Sequence, residues 1–206
     1  MTAGDIPAGV RLKEIAGWNQ TATDWKRFLD ASPRGCFVAE VNSKVCGTVT
    51  TIVFENRFAW VGMVLVDPEF RNKGIGTALL ERAIQYLDDL KIATIKLDAT
   101  PQGKPLYEKL GFVSEYEIER WTLHRNLPED LKGSDVYGPL TSELSPEILE
   151  IDRVVFGANR SPLLKSLHVE APEFTVSVSI EGVIQGYGLA RHGAFADHLG
   201  DRKSVV

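Results

Sequence analysis

The sequence is poor in cysteine and has no grouping of metal ligands. Its 206 residues include only two cysteines, Cys36 and Cys46, and four scattered histidines. No Cys/His cluster has metal-site spacing, so we predict no metal. The two thiols fall on adjacent strand-like runs, where they could form a disulfide. We favour the interpretation that both are buried as free thiols, as in a cytoplasmic protein.

Targeting segments and a strong charge of one sign are also missing. No stretch of about 18 uncharged apolar residues occurs, which predicts no membrane span. Residues 1–10 lack the basic start and apolar run of a signal peptide. The formal net charge of −5 argues against broad nucleic-acid binding. We therefore expect a cytoplasmic protein with neither membrane nor nucleic-acid partners.

The chain does contain an alternation of helical and strand patterns, which predicts a mixed α/β fold. Thr23 is the expected cap of the first helix. The strand over 59–66 is almost wholly apolar, so we expect it to be buried on both faces. The predicted helices cover residues 19–30, 75–90 and 104–110, and the predicted strands cover 36–41, 45–53, 59–66, 94–98, 112–117 and 118–125.

A basic loop with two glycines, residues 71–76, lies between the buried strand and an amphipathic helix. Its sequence is Arg-Asn-Lys-Gly-Ile-Gly. Glycine lets the backbone approach a ligand closely, and the free N–H groups and dipole of the following helix favour an anion. Arg71 and Lys73 add positive charge. A solvated basic loop is the plain alternative, but the spacing favours a diphosphate site.

Two other phosphate-binding motifs do not match this loop. A Walker loop needs Lys and Ser or Thr directly after its second glycine, where Thr77 and Ala78 stand. A dinucleotide fingerprint needs a third glycine where Leu79 stands. Basic residues before a Gly-x-Gly pair match a third kind of nucleotide loop.

Three segments, in this order, resemble the GNAT acetyltransferase superfamily. The loop 71–76 matches the family pattern Gln/Arg-x-x-Gly-x-Gly/Ala. Residues 60–68 are similar to the family's fourth strand, and residues 106–112 to its late helix. The resemblance covers residues 10–126. It implies a twisted, mostly antiparallel central sheet flanked by helices, with acetyl-CoA as co-substrate.

The resemblance also implies which residues contact the coenzyme. In the family, the fourth strand splays from the fifth and its backbone pairs with the pantetheine arm. The amides of the glycine loop hold the pyrophosphate. At the matching positions stand Val64, Leu65, Val66, Arg71, Asn72, Lys73, Gly74, Ile75, Gly76 and Thr77.

The catalytic candidates are a tyrosine and a carboxylate. Tyr107 matches the tyrosine that acts in the family as general acid near the coenzyme sulfur; packing beside Phe112 is its alternative. A phenol with a pKa of about 10 can protonate a thiolate with a pKa of about 8.5 when well placed. Asp98, at the carboxyl end of its strand, is the first candidate for the base, with a role in a turn as the alternative. Glu55 and Glu119 are weaker candidates.

Aromatic residues are the candidates for the acceptor pocket. Residues 18–20 open the first helical region, which flanks this pocket in the GNAT fold. Buried tryptophans more often belong to a core, and this remains the alternative for each ring. The candidates are Trp18, Asn19, Trp25 and Trp60.

The C-terminal segment repeats part of the first. When Gly47 is aligned with Gly186, residues 37–41 fall on 176–180 and Ala59 falls on His198. Residues 152–160 also resemble a second, GNAT-like half found in some bacterial acetyltransferases.

We therefore expect a GNAT domain at 1–127, a linker at 128–140 and a partial unit at 141–206. The partial unit is expected to lack the central strand, the phosphate loop and a coenzyme site. It would pack on the first domain or pair with a second chain in a homodimer.

These features predict an acyltransferase that moves an acetyl group from acetyl-CoA to a primary amine of a small molecule. The amine attacks directly and Tyr107 acts as general acid. The rival interpretation is a non-catalytic acyl-CoA binding or sensing module, and retention of both Tyr107 and Asp98 favours the enzyme. A protein-acetylating enzyme is the third interpretation.

Overall fold

In the computed structural model, residues 1–123, 137–139 and 143–204 are described, and of 137–139 and 201–204 only the backbone. They form two four-stranded sheets, each with its own helices. The first unit contains α1 (Ile6–Ile15), α2 (Ala22–Ala31), β1 (Phe37–Val41), β2 (Lys44–Phe54), β3 (Phe58–Val66), α3 (Ile75–Asp89), β4 (Ile95–Leu97) and α4 (Lys104–Lys109). The second contains β5 (Tyr137–Pro139), α5 (Pro146–Phe156), α6 (Ser161–Glu170), β6 (Val176–Ile180), β7 (Val183–Arg191) and β8 (His198–Ser204).

The first sheet has the order β1-β2-β3-β4 and is antiparallel except for the parallel pair β3–β4. Helix α3 packs its apolar stripe, which includes Leu80 and Leu87, on one face. Helices α1 and α2 cover the other face, with Trp25 at the centre of that core. The predicted mixed α/β fold, with a mostly antiparallel sheet flanked by helices, is confirmed.

Strand β3 contains a β-bulge, and this corrects the expectation that it is buried on both faces. Its side chains alternate between buried and half-buried. Thr48 pairs with Leu65 but Thr50 pairs with Gly62, so β3 carries one extra residue. Met63 takes a positive φ of 51° there. The extra residue switches the sides of the strand: Ala59 and Val61 contribute to the α3 core, whereas Met63 and Leu65 contribute to the α1–α2 core.

The helix predicted over 19–30 is α2, which begins at Ala22. Its cap is Thr21 rather than Thr23, because the Thr21 hydroxyl accepts from the Asp24 amide at 3.4 Å. The Asp24 carboxylate accepts in return from the Thr21 amide at 2.7 Å. Such a reciprocal capping box satisfies two amides that a helix start leaves open.

The strands predicted over 112–117 and 118–125 are not observed in the described part, residues 112–123. Lys96 of β4 binds the Glu115 carboxylate at 2.6 and 2.8 Å, yet no ladder forms there. Alternating apolar residues form a strand only where an edge pairs with them, and β4 is only three residues long. Several apolar side chains therefore remain exposed: Val113, Tyr116, Ile118, Trp121 and Leu123.

The second sheet repeats the first hairpin pair by pair. Phe37 pairs with Val49 as Val176 pairs with Gly188, and both hairpins have a register shift at the equivalent place. The predicted repeat of this hairpin is confirmed. The repeat extends further than expected, because β8 continues it. This strand corrects the prediction that the second unit lacks a central strand; its sequence is largely polar, so no apolar run marks it.

Two details of the second unit differ from the expectation. His198 pairs with Arg191 as Trp60 pairs with Ile52, so the equivalence at the third strand is shifted by one residue from the predicted one. Strand β5 falls within the predicted linker but pairs with β6. The other linker positions, 128–136 and 140, lie outside the described residues.

The two units pack against one another. The Phe156 ring stands 4.9 Å from that of Phe54 and 5.4 Å from that of Phe58, centroid to centroid. The buried Asp152–Arg160 ion pair, with contacts from 2.8 to 3.2 Å, closes the turn that follows Phe156. The sequence 152–160 is thus part of the contact between the units.

Both cysteines are buried and free, as favoured by the sequence. No helix among the described residues is long and apolar enough to cross a bilayer.

Candidate active site

The glycine loop joins the end of β3 to the start of α3 and is exposed from Arg71 to Gly74. Gly74 takes a φ of +77° as the cap of α3, a conformation that side chains disfavour. The first intrahelical bond runs from the Ala78 amide to the Gly74 carbonyl at 3.0 Å. The amides of residues 75–77 therefore point away from the helix without an intrahelical acceptor. They form a cradle for an anion.

The turn that leads into the loop is fixed by Asp67, whose side chain is buried. Its carboxylate accepts from Arg11 Nη1 at 2.7 Å and from the Glu69 amide at 3.2 Å. The hydrogen bond from Arg11 lowers the pKa of Asp67, so the anchor stays charged. Arg71 Nε donates to the Val66 carbonyl at 3.1 Å.

The other two side chains of the loop remain at its surface. Lys73 Nζ donates to the Glu69 carbonyl at 3.1 Å and lies 5.2 Å from the Phe70 ring centroid. Asn72 is exposed, with a φ of +59°. Arg71 and Lys73 therefore place two positive charges at the mouth of the cradle, each side chain resting on a backbone carbonyl.

A slot opens between β3 and β4. Their parallel ladder covers only residues 59–61 of β3 and 95–97 of β4. Beyond it, the β4 side of residues 62–66 has no strand partner within the described residues. The backbone of Val64, Leu65 and Val66 lies along this slot, which leads to the cradle. An extended ligand with amide groups could add to this edge as a strand does.

Helix α4 closes one side of the slot. A Cβ placed on Gly76 would lie 3.5 Å from Leu106 and 3.7 Å from Val66, so α4 sits beside the start of α3. Tyr107 is 9% exposed, and its ring centroid is 6.2 Å from that of Phe112. The ring lies so close to Gly103 that a Cβ there would come within 2.8 Å of it.

The hydroxyl of Tyr107 makes no hydrogen bond to any described residue, and burial raises the pKa of this phenol. The side chain therefore packs in the core and also carries a proton that no described acceptor binds. This placement fits both roles predicted for Tyr107 from the sequence, packing beside Phe112 and acid catalysis.

Asp98 lies across the sheet from Tyr107. Ile95 and Leu97 pack towards α3, so Asp98 projects to the other face as the alternation predicts. It is exposed, and its Oδ2 accepts from Trp60 Nε1 at 3.3 Å. Since Asp98 directly follows the last paired residue of β4, it stands where the slot begins. The tyrosine and the carboxylate thus lie on opposite faces of the first sheet.

The weaker base candidates lie away from the slot. Glu55 is in the turn between β2 and β3, at the end of β3 opposite to the slot. Glu119 is exposed in the segment after α4, which is not part of the sheet.

The aromatic candidates for the acceptor pocket differ in how deeply they are buried. Trp25 is fully buried, and its ring fills the space left by Gly9, where a Cβ would lie 2.8 Å away. Trp25 therefore belongs to the core, and this corrects its prediction as a residue of the acceptor pocket. Trp18 is half-buried and packs on the same core. Trp60 is half-buried beside Asp98.

Asn19 is engaged by the second unit. Its Nδ2 donates to the Ala196 carbonyl at 2.8 Å, and its Oδ1 accepts from the Phe195 amide at 2.9 Å. The side chain therefore connects the two units, and this corrects its assignment to acceptor binding.

Sequence reasoning missed the cleft between the units. It has a volume of about 440 Å³. Asp98 reaches it from the first unit, and the second unit supplies more than half of the residues that line it. No motif marks those residues, because their role depends on how the units pack. Its lining includes Asp24, Arg27, Asp98, Leu163, Ala190 and Arg191.

Residues 11–112 match the acetyltransferase (GNAT) family. The uncharacterized N-acetyltransferase YitH of Bacillus subtilis is 26% identical over 88% of this chain and 63% of its own length. The holothin acyltransferase of a Pseudoalteromonas species is 28% identical over 84% of this chain and 58% of its own length. Human N-alpha-acetyltransferase 30 is 28% identical over 48% of this chain and 30% of its own length. The chain thus spans less than two thirds of each relative.

Both units have a counterpart in a solved structure. The crystal structure of a Pyrococcus horikoshii protein assigned as an acetyltransferase superposes with a TM-score of 0.77 at 24% identity. The match covers 100% of this chain and 70% of that one. At this identity the likeness concerns the fold.

Proposed function

Since this chain belongs to the GNAT acetyltransferase family through residues 11–112, we propose that it transfers an acetyl group from acetyl-CoA to a primary amine of a small molecule. One observation carries the proposal. Beyond Val61, the β4 side of β3 has no strand partner among the described residues, and this edge ends at Val66, where a Cβ on Gly76 of the amide cradle would lie only 3.7 Å away. An amide-bearing arm that ends in a diphosphate fits this combination of strand edge and anion site.

The coenzyme would bind along this line. Its pyrophosphate would accept hydrogen bonds from amides within residues 71–77, where the helix dipole and Arg71 and Lys73 favour negative charge. Its pantetheine amides would pair with residues 64–66. The thioester would then reach the start of the slot, between Tyr107 and Asp98.

The reaction needs two proton transfers at that point. Once an ammonium acceptor has lost one proton to solvent, its neutral amine nitrogen attacks the thioester carbonyl carbon and a carbon–nitrogen bond forms. The carbon–sulfur bond then breaks, and the leaving thiolate takes the proton of Tyr107. Asp98, directly or through a water, takes the proton that the amine loses. Acids and bases placed in this way contribute about 10²- to 10⁴-fold each.

The relatives support a small acceptor over a protein. The holothin acyltransferase aligns over most of this chain, including the second unit, and its name gives one defined compound as acceptor. N-alpha-acetyltransferase 30, named for transfer to an α-nitrogen, aligns over less than half of the chain. Since the second unit forms part of the cleft at Asp98, relatives that share it are the better guide to the acceptor.

A panel of amines with acetyl-CoA tests the proposal, with release of free thiol as the readout. We expect turnover with at least one small amine. Tight binding of acetyl-CoA without turnover of any amine would contradict the proposal and favour a sensing module. Turnover of peptides alone would favour a protein-acetylating enzyme.

A further inference from the structure

We infer that the cleft between the two units is the acceptor site, and that it selects an amine carried on an apolar body without an anionic group. This inference rests on the proposed function, because Asp98 lies both at the slot and at the edge of the cleft. An amine held in the cleft with its nitrogen at Asp98 faces the place where the thioester would lie. The second unit is then a specificity element for the first.

The positive charges of the cleft are already paired. Arg27 Nη1 lies 2.9 Å from Asp24 Oδ1, and Arg191 Nη1 lies 2.9 Å from Asp24 Oδ2. Arg27 also pairs with Glu170 and donates to Ser166 Oγ at 3.0 Å. All of these carboxylates and guanidiniums are mostly buried, so breaking a pair to bind a ligand's carboxylate would leave a buried charge unmatched.

Asp98 is the exception among the charged groups of this wall. Within the described residues it has no cationic partner, and its one hydrogen bond comes from Trp60. A carboxylate at the rim with no partner suits an incoming ammonium group. It does not suit a substrate with its own carboxylate next to the amine, because like charges would meet there.

Apart from His198 of β8, the rest of the wall is largely apolar. Leu163 and Leu167 of α6 and Leu189 of β7 face Phe28 and Ile52 of the first unit. A volume of about 440 Å³ suits a small molecule, since such pockets span roughly 300–1,000 Å³. A peptide main chain would bring polar groups to leucine side chains that cannot bond them, which costs free energy at each group. The apolar body of an amine has no polar groups that would be left without hydrogen bonds there.

A matched set of acceptors tests the selectivity with the full chain and acetyl-CoA. The probes are n-propylamine to n-hexylamine, ε-aminocaproate, which adds a carboxylate to a similar chain, and triglycine. We expect kcat/KM to rise about two- to fourfold for each methylene group that the cleft buries. We expect n-hexylamine to exceed ε-aminocaproate and triglycine by about tenfold or more. Equal rates for the three, or a preference for triglycine, would overturn the inference.

A pair of substitutions on one helix tests the location. Leu163→Lys places a cation in the cleft, whereas Val169→Lys makes the same change where the side chain is 78% exposed. We expect kcat/KM for n-hexylamine to fall about tenfold or more in the first variant and to stay unchanged in the second. Equal values in both would show that the acceptor binds elsewhere.

Two further measurements separate failure of this inference from failure of the proposed function. Calorimetry should show that acetyl-CoA binds Leu163→Lys as tightly as the unsubstituted chain. If Leu163→Lys does not fold, Ala190→Leu fills the cleft from β7 without new charge, and long amines should lose more rate than n-propylamine. Absence of turnover with every amine, despite coenzyme binding, would overturn acetyl transfer itself.

Discussion

Two buried tyrosines, one in each unit, differ in what holds their protons. Tyr187 donates to Asp152, which is also paired with Arg160, and burial together with this hydrogen bond raises its pKa. Tyr107 is also buried with a raised pKa, but its hydroxyl has no partner among the described residues. A tyrosine whose proton is bound by a carboxylate stabilises the fold, whereas one without an acceptor can give its proton to a ligand. Burial alone therefore does not distinguish the two roles.

Replacing Tyr107 should have the largest effect. Tyr107→Phe keeps the ring that packs on Gly103 and Phe112 and removes only the hydroxyl. We expect kcat to fall by about 10²- to 10⁴-fold while acetyl-CoA binding and the melting temperature change little. Steady-state kinetics with the best amine provides the measurement. An unchanged kcat would reduce Tyr107 to a packing residue and remove the contrast with Tyr187.

Two glycines with positive φ, one in each unit, differ in whether they lie at the proposed coenzyme site. Gly74 begins α3 and Gly157 ends α5, at φ of +77° and +87°. Valine at either site should strain the backbone by about 1–2 kcal/mol. Gly74→Val should also weaken acetyl-CoA binding by about tenfold or more in calorimetry, because its side chain stands at the cradle. Gly157→Val is the control. Equal affinities in the two variants would place the coenzyme elsewhere.

Replacing Tyr187 should affect stability rather than catalysis. Tyr187→Phe removes a hydrogen bond to a buried carboxylate, which should lower the free energy of unfolding by about 1–3 kcal/mol. Asp152 keeps its Arg160 partner, so the loss is limited. Denaturant unfolding gives the change, and kcat at a temperature where the variant is folded should stay the same. A lower kcat in the folded variant would contradict the division of roles.

The smallest expected effect concerns the segment that contacts Asn19. His192 lies 3.0 Å from both Asp197 and Glu173, and these hydrogen bonds raise its pKa. A raised folded-state pKa stabilises the fold below about pH 6.5, the ordinary histidine pKa, and the gain is lost as pH rises through the raised value.

The melting temperature of the unsubstituted chain should therefore exceed that of His192→Gln at about pH 5.5 and approach it by about pH 8.5. A difference that grows with pH would show that the ion pairs do not stabilise this segment.

Short-range rules made much of the first unit predictable. The loop at Gly74 depends on neighbouring residues, as does the apolar stripe of α3, and both could be predicted from the sequence. The hairpin repeat could also be predicted, because turn and alternation fix its register. By contrast, the bulge at Met63 depends on pairing with β2, which no local signal reports. The burial of Trp25 depends on the space at Gly9, which is distant in sequence.

The rest of the candidate site could not be predicted because it depends on contacts between units. The sequence predicts Asn19 to line the acceptor pocket, but its side-chain amide binds the backbone at Phe195 and Ala196. Leu163 and Arg191 carry no motif, and only the packing of α6 and β7 brings them towards Asp98. Strand β8 is polar enough to lack a strand pattern, and its pairing with β7 defines it.

The proposed chemistry is the transfer of the acetyl group from acetyl-CoA to an amine at the slot between β3 and β4. Its most direct test is mass spectrometry of the amine and its product, run alongside free-thiol release. We expect one N-acetylated amine for each thiol released, with both rates lowered together in Tyr107→Phe. Thiol release without an acetylated amine would mean hydrolysis, and would contradict acetyl transfer to the amine.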